Sequence, residues 1–210
     1  MKNIFYLLLL TTIILFASCL KRKGEEPSAN EPINPDNSAE VITTMKIYIK
    51  DSISNNAILG SPFMFKDPDG DGGIAGTFAP NASDSLITLD SNKTYVAEII
   101  LLDETKNPID TISNAVIAEG QEHLFFFNQT NPIGNPYTTM ISGSGIKITY
   151  ADLDATNRGI GQKIKLRTSS STGGIQSPLV ITLRHQPGNK DGTFAPGETD
   201  VEVKFKIKVN

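Results

Sequence analysis

Along the body of this chain apolar residues recur at every second position, in segment after segment. MKIYIK (Met45–Lys50), LITL (Leu86–Leu89), YVAEIILL (Tyr95–Leu102), IKITY (Ile146–Tyr150), KIKLR (Lys163–Arg167), LVITLR (Leu179–Arg184) and VEVKFKIKV (Val201–Val209) alternate or run apolar. Successive side chains of a strand point to opposite faces, so a period of two describes ribbons with one face in a core and one in water. Clusters of Gly, Asn, Asp, Ser and Pro separate the ribbons and supply the turns. Only Ile112–Gln121 reads as a helix. Such ribbons bury their apolar faces sheet on sheet, which predicts an all-β fold: a single antiparallel β-sandwich over residues 41–210.

The pentapeptide GTFAP occurs twice, at Gly76–Pro80 and Gly192–Pro196, and the match extends well beyond it. KIYIK (Lys46–Lys50) aligns with KIKLR (Lys163–Arg167), and Ser61-Pro62 with Ser177-Pro178. An apolar strand follows each Ser-Pro, ending at Lys66 or Arg184. The repeated object is thus a three-strand unit, residues 46–90 and 163–206. It predicts internal pseudo-symmetry within one sandwich, with the GTFAP copies at equivalent corners and Phe78 and Phe194 as apolar plugs. Two tandem immunoglobulin-like sandwiches are the alternative, with Asn128–Gly145 as the candidate boundary.

The N-terminus has a different character. Lys2 precedes an apolar run from Ile4 to Phe16, and Ala17-Ser18-Cys19 follows. A basic start, a short apolar core and small residues before the cut predict a signal peptide over residues 1–18; the core is short for a membrane span. FASC resembles a bacterial lipobox, in which the cysteine is lipidated before cleavage, and Cys19 is the only cysteine of the chain. Lipidation there leaves no thiol for disulfides, thiolate metal sites or nucleophilic chemistry. Residues 19–40 are rich in Pro, Glu, Asn and Ser and predict a lipidated, disordered tether. The expected location is the outer membrane, lipid-anchored and facing the periplasm or the cell surface, with the membrane as first partner through the N-terminal lipid.

Several motifs carry a resemblance to a known group. Ile42–Thr44, F-x-DPDGDGG (Phe65–Gly73), EH-x-FFF (Glu122–Phe127), ITYAD-x-D (Ile148–Asp154) and L-RHQPG-x-KDG with GETD-x-EV (Leu183–Val203) together span nearly all of the body. With these motifs the chain resembles a family of small Bacteroidota lipoproteins that carry the label "type 1 periplasmic binding fold superfamily". The resemblance implies a lipoprotein without a defined activity. The label taken literally requires alternating strands and helices around a parallel sheet, whereas this chain has the patterning of a sandwich.

Two groups of residues could hold a ligand. Asp67-Pro68-Asp69-Gly70-Asp71-Gly72-Gly73-Ile74 fits the start of a calcium loop: Asp67, Asp69 and Asp71 supply alternating carboxylates and Gly73 a carbonyl. Position 12 is Phe78, so a distant carboxylate such as Asp84 has to complete the set; a solvated turn without metal is the alternative. The second group is the pair of histidines, His123 beside Glu119 and Glu122, and His185 at the end of its strand. Neutral imidazoles with a carboxylate can hold zinc or copper, or ligate haem iron; plain packing residues are the alternative.

The net charge is −4 and no Lys/Arg run occurs beyond the tether, so nucleic acid is not an expected partner. No G-x-S-x-G or H-E-x-x-H occurs, and the absence of Trp leaves few flat platforms for sugars. These features favour a non-enzymatic outer-membrane lipoprotein acting as an accessory binding or assembly module for an outer-membrane protein partner. A metal- or haem-capturing lipoprotein delivering cargo to an outer-membrane transporter comes second, and a hydrolase third. No cofactor is required by the sequence, calcium being the one that a motif points to.

Overall fold

The computed structural model describes residues 40–70 and 73–210, which fall in one compact unit spanning residues 37–210. The expected signal peptide, Cys19, the tether up to residue 39, and Asp71 of the acidic loop lie outside the described residues. Among the described residues no helix is long and apolar enough to cross a membrane.

The chain forms strands β1 (Thr44–Asp51), β2 (Phe63–Lys66), β3 (Thr77–Ala79), β4 (Leu86–Leu89) and β5 (Thr94–Leu102), then helix α1 (Ile112–Ala118). Six more strands follow: β6 (His123–Phe127), β7 (Thr138–Ile141), β8 (Ile146–Tyr150), β9 (Lys163–Thr168), β10 (Ser177–His185) and β11 (Glu198–Val209). They build a seven-stranded sheet in the order β3-β2-β1-β5-β9-β8-β7 and a four-stranded sheet in the order β4-β11-β10-β6. The sequence pattern sets which faces meet. β1 buries Met45, Ile47 and Ile49, β5 buries Tyr95, Ala97, Ile99 and Leu101, and β11 buries Val203, Phe205, Ile207 and Val209. Across the core Phe78 meets Phe205 edge-on with ring centroids 5.1 Å apart. Tyr150 of the large sheet donates its hydroxyl to the Phe125 carbonyl of the small one at 2.6 Å. The fold is an all-β sandwich.

One pairing departs from the antiparallel expectation. β4 runs parallel to β11, because the chain crosses from the large sheet to the small one before β4 and reaches its partner without a hairpin. The helix is shorter than the Ile112–Gln121 stretch. It docks by Ile112 and Val116, and Ser113 Oγ accepts the Leu101 amide at 2.7 Å, which ties it to β5.

The repeat is only partly a structural one. Its first strands, β1 and β9, flank β5 on either side, and its last strands, β4 and β11, lie side by side in the small sheet. The middle strands diverge: β2 folds back on β1, whereas β10 leaves β9 and joins the opposite sheet. β1 has an edge left for a hairpin partner, while both edges of β9 are taken by β5 and β8, so the next strand has to cross. The sharing of β5 between β1 and β9 also removes the two-domain alternative. The GTFAP copies follow this divergence and are not equivalent corners. Phe78 sits on an edge strand and packs on Phe65 and Phe205. Phe194 lies in a loop that covers the outer side of the small sheet, edge-on to Phe126, with the Arg184 guanidinium 4.8 Å above its ring.

Candidate metal centre

β6 and β10 pair in a register that sets His123 directly opposite His185. Side chains alternate across a sheet, so both histidines share the core-facing side with Phe125, Phe127, Ile181 and Leu183. They close the row at one end of the sandwich. Their rings stack, with centroids 4.6 Å apart and planes within 6°. His123 is 1% exposed and His185 8%. Burial, and then the neighbouring His185, push the His123 imidazole down to about 4, so this ring is neutral at physiological pH. Neutral imidazole is the form that ligates a metal.

Carboxylates surround the pair. Glu119 arrives from the C-terminal end of α1, four residues before His123, with Oε2 4.0 Å from Nδ1 of that ring. The same Nδ1 lies 3.3 Å from the Glu119 carbonyl. Glu122 Oε2 stands 3.5 Å from His185 Nε2. Asp200 Oδ2 stands 3.7 Å from His123 Nε2 with its side chain 3% exposed. Arg184 pairs with Thr199 and Leu183 with Val201, so Asp200 is the extra residue of a β-bulge, a device that re-aims a side chain. Gly197 lets this loop close over the site. Its φ is +74°, and a Cβ there would overlap the His185 carbonyl.

One donor atom each from Glu119, His123 and His185 lie within 4.8 Å of one another. A tetrahedral zinc with bonds of about 2.1 Å holds its donors about 3.4 Å apart, so the group has to tighten by more than about 1 Å and the parallel rings have to tilt until both nitrogen lone pairs meet at one ion. His185 Nε2 is buried, and its one polar neighbour, Glu122 Oε2 at 3.5 Å, falls short of a hydrogen bond. A buried polar atom left in that state calls for an explanation, and a ligand is one. Haem fits less well: two rings stacked face to face cannot approach one iron from opposite sides.

The second cluster is divided. Asp67 and Asp69 line a cavity of about 350 Å³ together with Glu40, Asp200 and Glu202. Asp69 Oδ2 also accepts the Ile74 amide of its own loop at 3.1 Å. Gly73 is exposed. Asp84 does not join them: it accepts the Asn81 amide at 2.9 Å and lines a different cavity beside Asp51 and Lys93. The turn after β3 carries Asp84 towards the small sheet and away from the cavity of Asp67 and Asp69, while Asp71 lies outside the described residues. Among the described residues, Asp67, Asp69 and Asp84 form no group comparable to that at the histidines.

Glu40 borders both regions. Burial, then the charges of Asp200 and Glu119, raise its carboxyl to about 7. The folded chain thus holds a proton that the unfolded chain releases near the ordinary carboxylate value. Stability falls as pH rises from about 4.5 to about 7 through this group. Glu40→Gln will flatten that slope in urea unfolding followed between pH 4 and pH 8; an unchanged slope would refute the assignment.

The loops behind the centre are pinned by a buried ion pair. Lys190 Nζ donates to Asp154 Oδ2 at 2.8 Å and to the Gly120 carbonyl at 2.6 Å, next to Glu119 in the chain. Both side chains are 1% exposed. Burial opposes the Asp154 charge, but hydrogen bonds from Lys190 and Thr156 prevail and hold its carboxyl below the usual range.

No family model, curated protein or solved structure matches the chain. Fold and geometry together define an all-β sandwich with a two-histidine, one-carboxylate cluster at one end.

Proposed function

We propose that this protein is a lipid-anchored β-sandwich of the outer membrane that captures a transition-metal ion, zinc in the first instance, through His123, His185 and Glu119. The observation that carries this reading is the buried histidine pair beside a carboxylate, with one donor atom from each within 4.8 Å of the others. Two imidazole nitrogens and one carboxylate oxygen are a borderline-soft donor set suited to zinc and poorly suited to calcium. Capture is preferred to hydrolysis because the ligating rings are buried against each other, and the chain offers no thiol outside Cys19. The role that suits an anchored metal-binding module is delivery to an outer-membrane partner.

Titrating zinc into the chelator-treated full chain in detergent will show one equivalent bound. At 100 times the dissociation constant the fold gains about 2.7 kcal/mol, visible as a rise in Tm. No binding at millimolar zinc sinks the reading.

A further inference from the structure

The outer face of the seven-stranded sheet carries a feature that the metal reading leaves unused. Its outward positions hold Lys46 and Lys50 on β1, Lys163, Lys165 and Arg167 on β9, and Lys147 on β8. Glu98 is the carboxylate among the outward strand positions of this sheet, and it lies 3.6 Å from Lys163. Lys66, at the end of β2, is matched by Glu104 at 2.7 Å. Among the described residues no carboxylate lies within ion-pair distance of Lys50, Lys147, Lys165 or Arg167. The whole chain has a net charge of −4, so this face is basic against the balance of the molecule.

The pattern runs against sheet stability. Lys147 stands directly opposite Arg167, and like charges at facing positions of antiparallel strands are destabilising. Tyr48, Val96 and Met140 are exposed among the cations, at 39%, 37% and 58%, and Tyr48, Val96 and Lys163 border a shallow groove. From β1 to β7 the patch crosses five strands, about 19 Å, and from Lys163 to Arg167 it runs about 14 Å along β9. A single phosphate would use only a corner of it. A plane of many anionic groups would use all of it.

We propose that this face docks flat on an anionic membrane surface, the cations meeting lipid phosphates and Tyr48, Val96 and Met140 reaching the headgroup level. The net negative charge of the molecule repels such a surface in other orientations, so the charge asymmetry selects this face as well as attracting it. An acidic polysaccharide is the competing polyanion, and the experiment separates the two.

The full chain is reconstituted in vesicles of phosphatidylcholine alone, or with one third phosphatidylglycerol, and briefly treated with an amine-acylating reagent. Mass spectrometry reads each lysine. In anionic vesicles at low salt Lys50, Lys147, Lys163 and Lys165 will react at least about 3-fold more slowly than in neutral vesicles. Lys204 and Lys206, exposed on the other sheet, will react at unchanged rates. The protection will disappear at about 1 M salt, where the screening length is about 3 Å. It will also weaken at the remaining lysines in Lys165→Gln/Arg167→Gln, whose altered side chains are exposed and leave the core untouched. Equal rates in the two vesicles, or equal protection of Lys204 and Lys206, overturn the proposal. So does protection of this face by a soluble anionic polysaccharide on neutral vesicles when phosphatidylglycerol gives none. Zinc binding is read separately, so either idea can fail without the other.

Discussion

Lys190→Met will destabilise the folded chain by about 3–5 kcal/mol, because it leaves the buried Asp154 carboxylate without its cation. The lysine also holds the Gly120 carbonyl, so two acceptors lose a partner in one substitution. For a domain of this size each kcal/mol moves Tm by about 2–4 °C, so the fall is on the order of 10 °C. Asp154→Leu combined with Lys190→Met will recover only part of the loss, since an apolar pair carries no stranded charge but leaves the Gly120 carbonyl and the Thr156 and Arg158 amides without these partners. The pH dependence has a definite sign. Asp154 is held below the ordinary carboxylate range, so its contribution is present above that range and is lost as pH falls through the folded value. The gap between wild type and Lys190→Met in urea unfolding will therefore narrow in acid. A gap below about 1 kcal/mol at neutral pH would show that the pair is not structural.

His185→Ala and His123→Ala will each weaken zinc binding at least about 100-fold, since residues that merely orient ligands already carry 10–100-fold. Asp200→Asn will have a smaller effect on affinity, because its oxygen stands 3.7 Å from His123 Nε2 and is not in the three-donor group. Calorimetric titration of the three variants ranks them. Undiminished binding in both histidine variants would move the metal elsewhere and leave the stacked pair as packing. The variants remain foldable tests because His185 sits at the very end of β10 and His123 at the start of β6. The hydrophobic rows behind them, Phe125 with Leu183 and Phe127 with Ile181, are untouched.

Parts of the centre were open to a sequence reading. His123 and His185 stand out as the chain's two histidines, and Glu119 and Glu122 lie within four residues of His123. A helix ending at Ala118 followed by a strand starting at His123 brings a residue four positions upstream back over the ring. Asp200 was not legible, because its placement depends on a one-residue bulge against Arg184 and Leu183, and a bulge leaves no mark in an apolar pattern. Glu40 was hidden for a similar reason: its neighbours Asp200 and Glu119 are distant in sequence. Asp84 is the converse case. Its distance along the chain suited a completing calcium ligand, but the turn that leads into β4 takes it to another cavity.

The basic face leaves no local mark in the sequence. A search for runs of lysine and arginine finds none in the body, because in KIYIK, IKITY and KIKLR the cations are separated by core residues. A period of two sends every one of them to the same side, and that side becomes a patch only when β1, β9 and β8 lie in one sheet.

Alternation by itself determined the class of fold, since it dictates which side of each ribbon must be buried whatever its neighbours. It also determined the seven strongest strands, all present in the sandwich, because each needs only its own residues to be amphipathic. Pairing was decided by the tertiary structure. Whether a strand turns back or crosses over depends on which edges are already occupied, which is why nearly matching sequences gave a hairpin at β1–β2 and a crossover at β9–β10. The same edges decided what meets what: His123 stacks on His185 only because β6 takes the last open edge of β10.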